Sequence, residues 1–315
     1  MHIPDGFLGA GVAAGTWVAG AGTLGWALRA EKSLPERVPA GTLGALSAFV
    51  FAAQLVNVPL VPGTSGHLVG GMLAAAVVGP SRGLVVMAVV LAVQALLFQD
   101  GGVTAFGANL LAMGGAGCLG GHAVASLVTR LFPGVRGLVA GPVAGAFVGT
   151  LLGAAFIAVA LALSGLYPAS VVLPLLLSLH VPIALLEAAL TGAILGTVLR
   201  WRPDLVRGLQ AGGASVSRSA PATGALVVAL AVAAFLAPMA SPLPDGLEAA
   251  AERLGLAGAA RALWPAPAPG YELPWAALGR AGTALAGVGG TLVAAVLAWG
   301  LSRGLGAPPE ARPHR

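Results

Sequence analysis

Apolar residues run along this chain in long blocks that polar positions interrupt only briefly, with no strand-like alternation. Stretches near 7–28, 40–58, 67–79, 83–98, 105–129, 138–164, 169–199, 221–240 and 277–302 read as helices, most of them at or above the length of about 17 residues that spans a bilayer. The third stretch is too short to span alone. It follows an irregular segment, 59–66, with Pro59, Pro62, Gly63 and Gly66, and such backbone is tolerated at membrane depth only where protein or a cavity shields it. The pattern predicts an all-α integral membrane protein: a seven-helix body over 1–200, a polar, basic linker at 201–220, and a two-helix appendage over 221–315. The appendage is expected to be a hairpin whose loop, 241–276, carries Asp245, Glu248, Glu252, Glu272 and a proline-rich run.

Composition supports the membrane reading. Hydrophobic residues make up 57% of the chain and charged residues 9%, against roughly a quarter charged in soluble domains. The pI near 10.6 comes from Lys and Arg scattered singly between apolar spans. There is no basic patch and no aromatic interleaving, so a nucleic-acid partner is not expected. Charge sets orientation instead: no Lys or Arg precedes the first span, while Arg29, Lys32 and Arg37 follow it. The positive-inside rule then puts the N-terminus outside the plasma membrane and the C-terminus in the cytoplasm. The same lack of a positive start argues against a secretory signal. Cys118, the single cysteine, can make neither an internal disulfide nor a cysteine-based metal site.

The candidate chemistry begins at the first residues, MHIPDGFL. The Met1 amine, the His2 amide nitrogen and His2 Nδ1 lie in succession and can close two chelate rings on one ion. This near-planar set suits Ni(II), Cu(II) or low-spin Co(II) better than tetrahedral zinc. His67, at the end of the segment GTSGHLVGG, sits where the tail can reach it; a lone membrane histidine is also read as a packing hydrogen-bonder. The segment 94–110 places Gln94, Gln99, Asp100, Thr104 and Asn109 around a turn, where they serve the turn or support a ligating imidazole. Asn109 is the strongest supporting candidate, and Asp5 is read as a helix N-cap. His180 and Glu187 lie two turns apart on one helix face, as a polar pair or a proton relay. His122 is assigned to packing and His314 to a solvated tail. Gly11, Gly15 and Ala19 form a stripe for close helix packing, internal or with a partner.

MHIPDGFL, SGH at 65–67, QALLFQDGGVTAFGAN at 94–109 and HVPIALLEAALTGAIL from His180 resemble the cobalt/nickel-specific substrate-binding subunit (CbiM/NikM type) of energy-coupling-factor transporters. The appendage, with its Pro-Asp-Gly-Leu-Glu at 244–248, is similar to that subunit's small two-helix partner. The resemblance implies capture of Co(II) or Ni(II) as transported substrate, with no resident cofactor. The implied nitrogen site is the Met1 amine, the His2 amide and imidazole, and His67, with Ser65, Gln94, Thr104 and Asn109 as possible supports. It also implies a transmembrane coupling subunit and ATP-binding cassette ATPases as partners, since the chain has no GxxxxGK[ST] motif. Two alternatives from other classes are an intramembrane serine protease using Ser65 and a membrane metal sensor. Because hard carboxylates suit Mg(II) or Ca(II) better, the appendage is expected to supply no ligand.

Overall fold

The computed structural model describes residues 1–34, 38–61, 63–201, 220–273 and 278–305. The linker apart from its two ends, Pro62, and the tail with His314 lie outside them. Helices form where the apolar blocks predict: α1 (Ala10–Ser33), α2 (Ala40–Gln54), α3 (Gly71–Val78), α4 (Pro80–Phe98), α5 (Phe106–Leu131), α6 (Val135–Leu163), α7 (Ala169–Trp201), α8 (Ala222–Met239), α9 (Gly246–Arg253) and α10 (Arg280–Leu305). Among the described residues, the six helices α4, α5, α6, α7, α8 and α10 are long and apolar enough to cross a membrane. α2 is apolar but has 15 residues, about 22 Å at the helical rise, short of a 30 Å hydrocarbon core. Nine separate crossings are thus more than these helices supply by length and hydropathy. α1 has the length, and its Gly, Thr and Trp dilute its hydropathy.

The irregular segment before α3 is an antiparallel hairpin, β1 (Val58–Val61) with β2 (Thr64–Gly66), pairing Val58 with Gly66 and Pro59 with Ser65. Gly63 turns it at φ 79° and Gly70 leads into α3 at φ 83°, left-handed conformations that favour glycine. α3 and α4 meet at Gly79, with Pro80 opening α4, where its missing N–H costs nothing. The last turn of α4, Gln94–Phe98, and the glycine-rich middle of α5, Leu110–Gly121, are wound wide with i→i+5 bonds.

α5 packs on α6 and α6 on α7, with α3 and α4 inside that layer. The appendage helices α8 and α10 lie along α2. Close approach is the reason for Gly290 in α10, whose absent Cβ would overlap the Phe51 ring. The loop between α8 and α10 folds over one end of the body. It contains α9, a helix the apolar pattern did not show. Its signal is a capping box: Asp245 accepts from Leu247 N and Glu248 N, while Glu248 accepts from Asp245 N.

Candidate metal centre

The tail ahead of α1 is buried although it has no regular structure: Met1 is 2% exposed, Ile3 0% and Phe7 3%. Its backbone is pinned by the loop between α4 and α5 and by the first turn of α5. Ile3 N donates to Asn109 Oδ1 at 2.8 Å, Asn109 Nδ2 returns a bond to Ile3 O at 3.0 Å, and Gly102 N donates to Ile3 O at 2.8 Å. Asp5 does not cap α1, which starts after Gly9 without a side-chain cap. Its carboxylate accepts instead from Val103 N, Thr104 N and the Thr104 hydroxyl, locking the tail to the loop. Sequence spacing could not show this, because the partners are nearly a hundred residues away.

Pinning residues 3–5 delivers the first two residues to a fixed place. The Met1 ammonium donates to Asp245 Oδ2 of the appendage. His2 Nδ1 lies 3.0 Å from Asp100 Oδ1, and His2 Nε2 lies 3.1 Å from Gln94 Oε1. Gln94 Nε2 donates to Gln54, and Gln54 Nε2 to Val69 O, both at 2.6 Å. This relay ties His2 to the segment that carries His67. The His2 and His67 rings stack with centroids 5.8 Å apart and planes 23° from parallel. His67 Nδ1 lies 2.9 Å from Leu68 O; a carbonyl only accepts, so Nδ1 holds the proton and Nε2 carries a lone pair. One ligand atom each from His2, His67 and Asp245 lie within 4.8 Å of one another, a spacing one ion can bridge.

Other sequence candidates fall elsewhere. Ser65 Oγ donates to Leu243 O at 2.6 Å and Ser65 N to Pro244 O at 2.8 Å, so Ser65 docks the appendage loop and is not turned to the imidazoles. Thr104 serves Asp5. His180 and Glu187 are not a pair. Glu187 accepts from Val69 N and Gly70 N at 2.6 and 2.9 Å, fixing the strand-to-helix turn after His67. His180 Nδ1 lies 2.7 Å from Leu176 O, and its buried Nε2 has no partner among the described residues. His122 Nδ1 is likewise buried without a partner, well down α5.

The appendage was expected to supply no ligand; the structure brings it directly against the candidate ligands. Asp245 is 8% exposed and belongs to the cluster. A Cβ on Gly246 would lie 2.8 Å from His180 Cε1 and 2.7 Å from Ile183 Cδ1, so glycine there lets α9 approach this closely. Tyr271 Oη donates to Asp100 Oδ2 at 2.5 Å, a second appendage contact one step from His2. Asp245, Tyr271 and Gln54 were not singled out as site residues, whereas Asp100 was read with the 94–110 turn as a possible support for an imidazole. Their local signal is weak, because long-range packing brings them here.

Burial lowers both imidazoles below the usual histidine value. For His67 the positive N-terminus and His2 add to burial, bringing it to about 4. For His2, burial outweighs the opposing pull of Asp100. Burial thus favours the neutral form of these rings, the form that ligates. Burial alone would raise the Asp245 carboxyl, but the charge and hydrogen bond of the Met1 ammonium bring it well below its ordinary value. Beside these residues a cavity of about 420 Å³ lies between Asp100, His2 and the appendage residues Asp245, Glu248 and Glu252.

A multi-pass helical bundle that gathers a terminal amine, two imidazoles and a carboxylate at one end has the features of a membrane protein handling a transition-metal ion. Comparison with known proteins gives the family. Residues 2–205 match the CbiM family, described as a cobalt uptake substrate-specific transmembrane region, and residues 219–306 match the PDGLE domain. The chain belongs to the CbiM family, carries a PDGLE domain, and is a metal transport protein rather than an enzyme. It is 33% identical over 306 residues to a putative fused nickel transport protein NikMN of Archaeoglobus fulgidus, covering 96% of this chain and 98% of that one. It is 31% identical over 266 residues to the cobalt transport protein CbiM of Geobacter sulfurreducens, covering 80% and 74%. A crystal structure of a truncated transition metal transporter superposes with a TM-score of 0.57 at 30% identity, covering 64% of this chain and 99% of that one.

Proposed function

We propose that this chain is the substrate-capture subunit for uptake of Co(II) or Ni(II), working in an ATP-driven energy-coupling-factor transporter. In this reading residues 1–200 are the metal-binding body, 201–220 the cytoplasmic link and 221–315 the appendage. The tail faces outside, and a transmembrane coupling subunit with ATP-binding cassette ATPases supplies the power. The observation that carries the reading is the buried convergence of Met1, His2 and His67, with the His67 Nε2 lone pair open toward the tail. The ligands are the Met1 amine, the His2 amide and imidazole, and His67 Nε2. Gln94 and Asn109 support them, Gln94 through the imidazole and Asn109 through the Ile3 backbone.

A metal ion can take the amine only after its ammonium has given up a proton, and His2 Nδ1 only after leaving Asp100. Binding therefore exchanges protons for metal, and acid opposes it. Because burial lowers the imidazoles, their own protonation opposes binding below the free-histidine value near 6.5, for His67 near 4. A protease role finds no support in the geometry, since the Ser65 hydroxyl is spent on Leu243 O.

The test is metal uptake by cells expressing the chain with its coupling and ATPase partners. His67→Ala should reduce uptake to background, while His122→Ala leaves it near wild type. Equal losses in both variants would overturn the assignment. A chain that binds metal and drives no uptake with any coupling partner would favour the sensor reading.

A further inference from the structure

We propose that Asp245, delivered by the appendage, is a metal-contacting residue of the loading step: its carboxylate receives the incoming ion beside His67 and His2 before the ion settles on the tail nitrogens. The proposal rests on the reading above and adds a residue from the other side of the linker.

Four observations converge on this carboxylate. Its Oδ1 is committed to α9, accepting from Leu247 N at 2.7 Å and Glu248 N at 2.9 Å, so the side chain cannot swing away without uncapping the helix. Oδ2 is thereby aimed at the Met1 amine, the donor an ion must win. The carboxylate is mutually within 4.8 Å of a ligand atom on His2 and one on His67, close enough for a single ion to touch all three. It also lines the 420 Å³ cavity beside His2, together with Asp100, Glu248 and Glu252, so an ion in that cavity can reach Asp245.

A further feature of this neighbourhood points to an electron-pair acceptor. His180 Nδ1 holds its proton on Leu176 O, which leaves a lone pair on a fully buried, unpartnered Nε2. That nitrogen lies against Gly246, the residue next to Asp245.

The chemistry is that of exchange. In the arrangement seen here Asp245 balances the buried ammonium. When a divalent ion enters, the same carboxylate balances the ion, and the amine, having released its proton to the cavity water, turns its lone pair to the metal. The carboxylate balances one charge of the ion and the His2 amide nitrogen, once its proton has also been released to the cavity water, balances the second, so the buried site holds no unpaired positive charge, which would be costly in this medium.

Full-length protein in detergent is mixed with Ni(II) in a stopped-flow instrument, and equilibrium affinity is measured alongside. Asparagine caps helices as well as aspartate, so Asp245→Asn keeps α9 while removing the charge, and circular dichroism with thermal melting checks that. Asp245→Asn should load about tenfold more slowly, and Asp245→Glu should recover much of the rate, which a purely capping role would not explain. Loading of Asp245→Asn at the wild-type rate or faster, with the fold intact, overturns the proposal. His67→Ala separates the two readings: if it loses affinity while Asp245→Asn loads normally, the capture site stands and the Asp245 step falls. If His67→Ala binds as wild type, the capture reading itself fails.

Discussion

The two ends of the body differ in kind. At the tail end almost every buried polar group is committed: Asn109 to Ile3, Asp5 to the 103–104 backbone, Gln94 to Gln54, Glu187 to the turn after His67. At the opposite end a cavity of about 480 Å³ between α2, α3, α7 and α8 is lined by Leu46, Phe49, Leu73, Val77, Ile194 and Val228 among others. Among the described residues that lining holds no titratable side chain. A divalent ion is stable only where donors and counter-charge replace its water. The contrast fits the proposed capture of the cargo at the tail end. On that proposal the rigidity of the tail end has a use, since each bond there fixes an atom one or two steps from a proposed ligand.

The largest effect that tests this contrast comes from moving the amine itself. A glycine inserted ahead of Met1 displaces the terminal nitrogen by about 3.8 Å, and metal affinity should fall by at least about 100-fold, or about 2.7 kcal/mol. Equilibrium titration of the extended protein checks this, and unchanged affinity would mean the amine is not a donor. Next in size is Asn109→Ala. It removes two buried bonds to Ile3 and costs about 1–3 kcal/mol of tail positioning, expected as a roughly tenfold weaker metal complex. Leu46→Ala at the opposite cavity is the control: it should lower the melting temperature through lost packing and leave affinity within about twofold. If the two variants weaken metal binding equally, the ends are not functionally distinct.

The smallest expected effect is on stability. An unfolded imidazole takes its proton near 6.5, whereas His67 in the fold takes one only near 4. Between those values the unfolded chain binds more protons, so stability of the metal-free protein rises with pH and is lost on acidification through the window. The slope from this group is at most about 1.4 kcal/mol per pH unit. His67→Gln should flatten the melting-temperature profile between pH 6.5 and pH 4, and an identical slope in the variant would show that the ring is not held neutral by burial.

What was legible in the sequence follows from locality. Helix positions came from apolar blocks, because burial in lipid or protein writes itself into consecutive residues. α8 and α10, expected near 221–240 and 277–302, differ from the observed bounds by a few residues. The proposed chelate could be read from the sequence because its three donors belong to two adjacent residues, and His67 as a candidate because a polar ring in an irregular apolar segment stands out. Asp5 and Glu187 were placed in wrong roles for the opposite reason: each is a carboxylate whose partners are backbone N–H groups of a distant segment, and a donor that every residue carries leaves no mark in the sequence. Asp245 was set aside on ligand hardness, an argument about a finished site. The structure instead shows that carboxylate neutralising a buried amine, which no preference scale for ligands anticipates. The capping box around α9 was readable, and with it the orientation of that carboxylate.

The most direct test of the central claim, that the ion sits where Met1, His2 and His67 converge, is X-ray absorption spectroscopy of the full-length protein loaded with one equivalent of Ni(II). The account predicts a nitrogen first shell with the outer-shell scattering of two imidazoles, reduced to one in His67→Ala if any metal remains. A shell of oxygens without imidazole scattering would contradict it.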